Sequence, residues 1–221
     1  MKSNKLVTAA TAILMTISSA SYAQPGPKPE RGMKALQQVS VFTGKVGEWV
    51  NNDNYVYDGF YLQTGSEKLL VKFPPHMGRQ LLAVLKNGSN INVNGVQVFS
   101  PMGEKEIRMI SVTSGGQIIN DAPPVEPITP LVEELITSSS RIKELQKNKQ
   151  GEVNGFILDN MVILRLPPHV AMQLSQLAVP NASISYTGIK KSIHNGEATA
   201  ANYTIIHCNT ITINNTQYLT R

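Results

Sequence analysis

The sequence is poor in cysteine, aromatic residues and charge, and each shortage narrows what the chain can be. Cys208 is its only cysteine, so no internal disulfide forms and stability has to come from packing. Charged residues make up 16% of the chain, and 20 Lys and Arg against 15 Asp and Glu leave a net charge of +5. A domain built for nucleic acid concentrates its cations on one face, whereas only Lys143, Lys147, Lys149 and the Lys190-Lys191 pair cluster here. Past the N-terminus no apolar run approaches the ~20 residues of a membrane-spanning helix. The chain also lacks Gly-x-Ser-x-Gly, a phosphate-cradling Gly-rich loop, His-x-His and any Cys pair. Those absences argue against an enzyme, and no cofactor is expected.

What is present begins with an address. Lys2 and Lys5 precede an apolar stretch over residues 6–17, and Ser21-Tyr22-Ala23 places small residues at −3 and −1 before Gln24. That order predicts a secretory signal peptide over residues 1–23 and a periplasmic or secreted mature chain. Loss of Lys2 and Lys5 lowers the net charge from +5 to +3. Residues 24–38, with Pro25, Pro27 and Pro29, are expected to form a flexible lead-in.

The remainder contains one pattern twice. Asp58-Gly59-Phe60-Tyr61-Leu62 and Leu69-Leu70-Val71-Lys72-Phe73-Pro74-Pro75-His76 correspond to Asn154-Gly155-Phe156-Ile157-Leu158 and Val162-Ile163-Leu164-Arg165-Leu166-Pro167-Pro168-His169. The offset is 96 residues through Leu62 and 93 from Leu69 through the Pro-Pro-His onward, because the first copy carries extra residues around Thr64-Gly65-Ser66. An insertion confined to a turn is where a duplicated unit tolerates change. Asp58-Gly59 and Asn154-Gly155 read as turn dipeptides between strands. Proline cannot donate to a ladder, so the following strand must end at each Pro-Pro. Proline also suits the first turn of a helix, and residues 76–85 and 169–177 carry apolar side chains at helical spacing. Gly88 and Asn181 are expected to stop these helices. Alternating strands follow at residues 91–95 and 184–188, and a last strand at 107–112 and 203–213.

With first strands at residues 39–50 and 141–147, three strands, a short helix and two strands give the order of a five-stranded OB barrel. The expected architecture is therefore mainly β, with tandem modules at residues 39–121 and 141–221. A Pro-rich linker joins them at 122–140, with a helical turn or two near 131–136. The set Gly44-Lys45-Val46, Asp58-Gly59 and Phe73-Pro74-Pro75-His76 resembles exported bacterial OB-fold-like proteins of uncharacterised function. The resemblance covers both copies and implies the fold and export, with no assigned activity.

Trp49, Tyr55, Tyr57, Phe60 and Tyr61 make the first copy aromatic-rich around the loop joining its first two strands, a common ligand-facing loop of OB barrels. They are the expected contact residues for a protein, peptide or glycan, or for single-stranded nucleic acid, whose bases stack on rings while cations track the phosphates. Several of the rings are equally suited to filling a small barrel. His76 and His169 recur at equivalent positions and are weak candidates for a shared metal. The favoured alternative is architectural: each His opens a helix and orients the turn formed by Pro74 and Pro75 or by Pro167 and Pro168, with its imidazole facing the helix N-terminal N–H groups. Cys208 reads as a buried, inert thiol, because its neighbour His207 points to the opposite face of the same strand.

Overall fold

A computed structural model describes residues 36–65, 67–100, 103–124 and 133–221. The predicted signal peptide and most of the lead-in lie outside these residues, as does the middle of the linker.

Each copy closes into a five-stranded OB barrel. In the first, β1 (Ser40–Asn51), β2 (Tyr57–Thr64), β3 (Glu67–Lys72), β4 (Asn90–Phe99) and β5 (Lys105–Ser114) pair in the order β3-β2-β1-β4-β5. Parallel pairing of β3 with β5, Val71 opposite Ile107, closes the ring. In the second, β7 (Glu134–Lys147), β8 (Val153–Leu158), β9 (Val162–Arg165), β10 (Ser183–Lys190) and β11 (Thr204–Ile213) repeat the order, and β9 closes on β11 with Ile163 opposite Ile205. The long first strand makes this possible. β1 pairs with β4 through Ser40 to Lys45 and with β2 through Lys45 to Asn51, bulging between Val46 and Trp49. β7 divides itself in the same way between β10 and β8.

Each barrel carries a further edge strand that the repeat pattern did not disclose. β6 (Gln117–Asn120) and β12 (Thr216–Leu219) fold back on β5 and β11. Both hairpins turn on two residues with positive φ, Gly115-Gly116 and Asn214-Asn215. That geometry is the one whose twist matches the flanking strands.

The Pro-Pro joints behave as expected. A 3-10 turn at Pro75–Met77 leads into α1 (Gly78–Val84), and α2 (Pro168–Leu174) starts directly on its proline. Both helices are shorter than predicted and end before Gly88 and Asn181, which take positive φ in the turns beyond. Met77, Leu81 and Leu85 seal one core with Phe60, Phe73 and Val93. Ala171, Leu174 and Ala178 seal the other with Phe156, Ile184 and Ile206.

Three local expectations are corrected. Gly59 and Gly155 lie inside β2 and β8, not in turns, and neither has a positive φ. They are glycines because the neighbouring strand passes too close: a Cβ on Gly59 would sit 2.8 Å from Val71 O, and one on Gly155 would collide with Leu164 O. The actual turns lie earlier, at residues 52–56 and 148–152. Residues 134–136 are strand, not helix, so β7 begins well ahead of Arg141, inside the segment expected to be linker. β10 supplies its partner there, pairing Lys190 with Glu134 and Gly188 with Ile136.

Candidate functional site

The loop between β1 and β2, expected to face a ligand, faces the second barrel instead. Asn52 Oδ1 accepts from the N–H groups of Asn54 (2.9 Å) and Val56 (3.2 Å), folding residues 52–56 into a tight turn. Asn148 does the same for Gln150 and Glu152 in the second copy. The copies differ at the left-handed position. The second has Gly151 (φ +84°), whereas the first forces Tyr55 to φ +56°, a conformation that a bulky residue adopts only when its surroundings hold it there.

The Tyr55 ring packs 4.9 Å from that of Tyr203, against Ile157, Ile163 and Ile205 on the outside of the second barrel. Val56 is 2% exposed and bridges to Thr199. Backbone bonds from Tyr57 N to Ala198 O (2.9 Å) and from Ala200 N to Tyr55 O (2.7 Å) join the loop to the long β10–β11 connection. Farther along that connection, Arg79 N donates to Gly196 O at 2.9 Å, and a Cβ on Gly196 would collide with His76 O. The barrels therefore form one packed body.

Polar side chains line the same junction. Gln146 Nε2 donates to Asp53 O (3.0 Å), Asn154 Nδ2 to Asp53 Oδ2 (3.1 Å), and Arg165 Nε to Asn54 Oδ1 (3.0 Å). A cavity of about 570 Å³ opens beside them, lined by Asp53, Asn54, Asn154, Arg165, Pro168 and His207 among others. A second, of about 340 Å³, lies on the other side of Asn54, next to Lys190, Lys191 and Tyr203. Burial holds the Arg165 guanidinium below its ordinary range, opposed by the charge of Asp53. His207 is also held low, first by partial burial and then by Lys191 and Arg165. Burial raises the Tyr55 phenol, and Tyr203 and Glu144 add to the effect.

The aromatic residues singled out from sequence separate into three environments. Phe60 is 0% exposed at the centre of the first core, so it is not a contact residue. Trp49 covers that core, its ring 5.4 Å from Phe60, 6.0 Å from Tyr57 and 6.1 Å from Phe73. Tyr55 is taken up by the junction. Tyr61 lies half-buried on the outer face of β2, with Lys68 Nζ 3.9 Å from its ring centroid.

His76 and His169 sit on the helical joints of different barrels. His76 donates from Nε2 to Ala122 O (2.7 Å), tying its joint to the chain after β6, in place of the expected contact with helix N–H groups. His169 is exposed. Among the described residues, no three His, Cys, Asp or Glu side chains converge as a metal site would require, and no helix is long and apolar enough to cross a membrane. Cys208 is buried and donates to Thr210 O (3.2 Å). Sequence reasoning passed over Asp53, Asn54, Asn154 and Arg165. The unbroken apolar run Val162-Ile163-Leu164 before Arg165 was the available signal, since a strand apolar on both faces is covered on both.

No family model and no curated protein matches the chain. Among solved structures it is similar to the HIN2 domain of p202, described as tetrameric, with 11% identity over 80% of this chain and 94% of that one, at a TM-score of 0.27. It is also similar to the HINb domain of p204, with 10% identity over 78% and 98% of the two chains, at a TM-score of 0.26.

Proposed function

We propose that the chain is an exported, non-enzymatic binding protein that contacts a protein, peptide or glycan through the outer β2–β3 face of its first barrel, centred on Tyr61. The observation that carries this reading is the Tyr61 ring with Lys68 above it, an amphipathic platform on the face that OB barrels offer to oligomeric ligands. Glu48 engages Lys68 at 3.2 Å, and Asp58 engages Lys72. Cations already paired favour a weakly charged partner over a polyanion, whose affinity draws on released counterions. Single-stranded nucleic acid is the second reading, favoured by Lys68 over the same ring and by Lys45 and Lys72 at register positions two residues to either side of Tyr61 along β2. Export rests on the charged, apolar and small-residue order of residues 1–23.

The test is a photo-crosslinking side chain at position 61, with exposed Asn92 on β4 as control, in cells fractionated before analysis. A discrete protein or glycan adduct at 61 alone, on a periplasmic chain beginning at Gln24, is the expected result. Oligonucleotide binding that falls steeply with salt would transfer the assignment to the second reading. No adduct and no oligonucleotide binding would sink both.

A further inference from the structure

The two barrels treat an equivalent cation differently. Lys72 and Arg165 are equivalent, each paired across the sheet with a strand glycine, Gly59 or Gly155. In the first barrel Lys72 Nζ is paired with Asp58 Oδ2. In the second the residue matching Asp58 is Asn154, which cannot neutralise a cation and whose Nδ2 turns instead to Asp53. The Arg165 side chain retains a single hydrogen bond, from Nε to Asn54 Oδ1. Its Nη1 and Nη2 are sealed from solvent without a partner, and Asn154 Oδ1 is unpartnered as well. Arg165 is 8% exposed and lines the 570 Å³ cavity.

Buried donors without acceptors are costly, and charged ones more so. A guanidinium fork with both terminal amines unpartnered matches a planar oxyanion in bidentate geometry. We propose that this cavity binds a carboxylate, that of the C-terminal residue of a peptide. The ligand carboxylate accepts from Nη1 and Nη2, taking the part that Asp58 plays in the first barrel, while the adjoining peptide N–H donates to Asn154 Oδ1. No ion pair joins Asp53 to Arg165 among the described residues, but the Asp53 carboxylate, held by Asn154 Nδ2, sets one negative charge beside the site, which opposes a phosphate dianion more than a monoanion. Because both nitrogens are closed to water, entry requires rotation of side chains at the cavity wall. The site stands apart from the Tyr61 face and does not depend on it.

The test follows thermal unfolding of the purified full chain in N-acetylglycine, acetate, N-acetylglycinamide and inorganic phosphate, each against sodium chloride at matched ionic strength. N-acetylglycine is expected to raise Tm by about 3–6 °C at roughly tenfold its Kd, acetate by less, and the uncharged amide not at all. Asn154→Asp supplies a carboxylate internally, and although it gives up the bond to Asp53 Oδ2 and sets a like charge beside it, its response to N-acetylglycine should vanish. Arg165→Gln should lose the response too. Equal Tm in N-acetylglycine and chloride, or a response that persists in Asn154→Asp, overturns the proposal. A larger shift in phosphate than in N-acetylglycine also overturns it.

Discussion

Lys72 and Arg165 occupy the same place in two copies of one barrel, yet only Lys72 has a carboxylate against it. If the carboxylate accounts for the difference, Asp58→Asn should recreate the second barrel's condition in the first. With side chains only 26% and 15% exposed, stranding Lys72 should cost about 1–3 kcal/mol, read as a lower denaturation midpoint. An unchanged midpoint would mean that the pair contributes nothing.

The junction should make the barrels unfold together. Trp49 is the only tryptophan and reports the first barrel, while Cys208 accessibility reports the second. In the native chain the two transitions should coincide, as two-state unfolding requires. Tyr55→Gly relieves the positive φ but removes the ring from Tyr203 and the surrounding isoleucines. The two transitions should then separate, with the net stability change held to about 1–2 kcal/mol by the opposing terms. Coincident transitions in the variant would show that the backbone bridges suffice alone.

Crowding of the strand glycines can be ranked. Gly155→Ala drives a Cβ into Leu164 O, while Gly59→Ala leaves 2.8 Å to Val71 O. Both should destabilise, by about 1–3 kcal/mol, with Gly155 the worse. The reverse order in Tm would contradict the inter-strand spacing described.

Cys208 predicts an alkaline limit. Burial, partly offset by the Thr220 hydroxyl, pushes its thiol from an ordinary 9.0 up to about 11. The folded state therefore holds its proton where the unfolded state has released it. The associated stability is complete below about pH 9 and lost as pH rises through about 11, on the order of 2–3 kcal/mol. Cys208→Ala should flatten that part of the stability profile, and native thiol reagents should react with the parent only after unfolding. Fast labelling of the folded chain would refute this.

Much of each barrel was legible because strands, helices and Pro-Pro stops are governed by residues close in sequence. The edge strands went unread, although Gly115-Gly116 and Asn214-Asn215 are hairpin dipeptides, because they fell after the last matched landmark. Gly59 and Gly155 were misread because a glycine needed for close strand approach looks the same as one needed for a turn. The junction was out of reach. Nothing near Asn54 in sequence announces Arg165, and the exchange of Asp58 for Asn154 reads as drift until the missing ion partner is seen in space. Tyr55 likewise reads as a ligand-facing aromatic until Tyr203 is found beside it.

That exchange of roles alters what the duplication has produced. A loop that one copy could spare has become the buttress of the other, covering Ile163 and Ile205 with Tyr55. A gene cut between the copies would encode two fragments, each exposing a scar: one a strained tyrosine with nothing to hold it, the other a bare patch of isoleucine. Neither half would then be expected to stand alone as a folded unit.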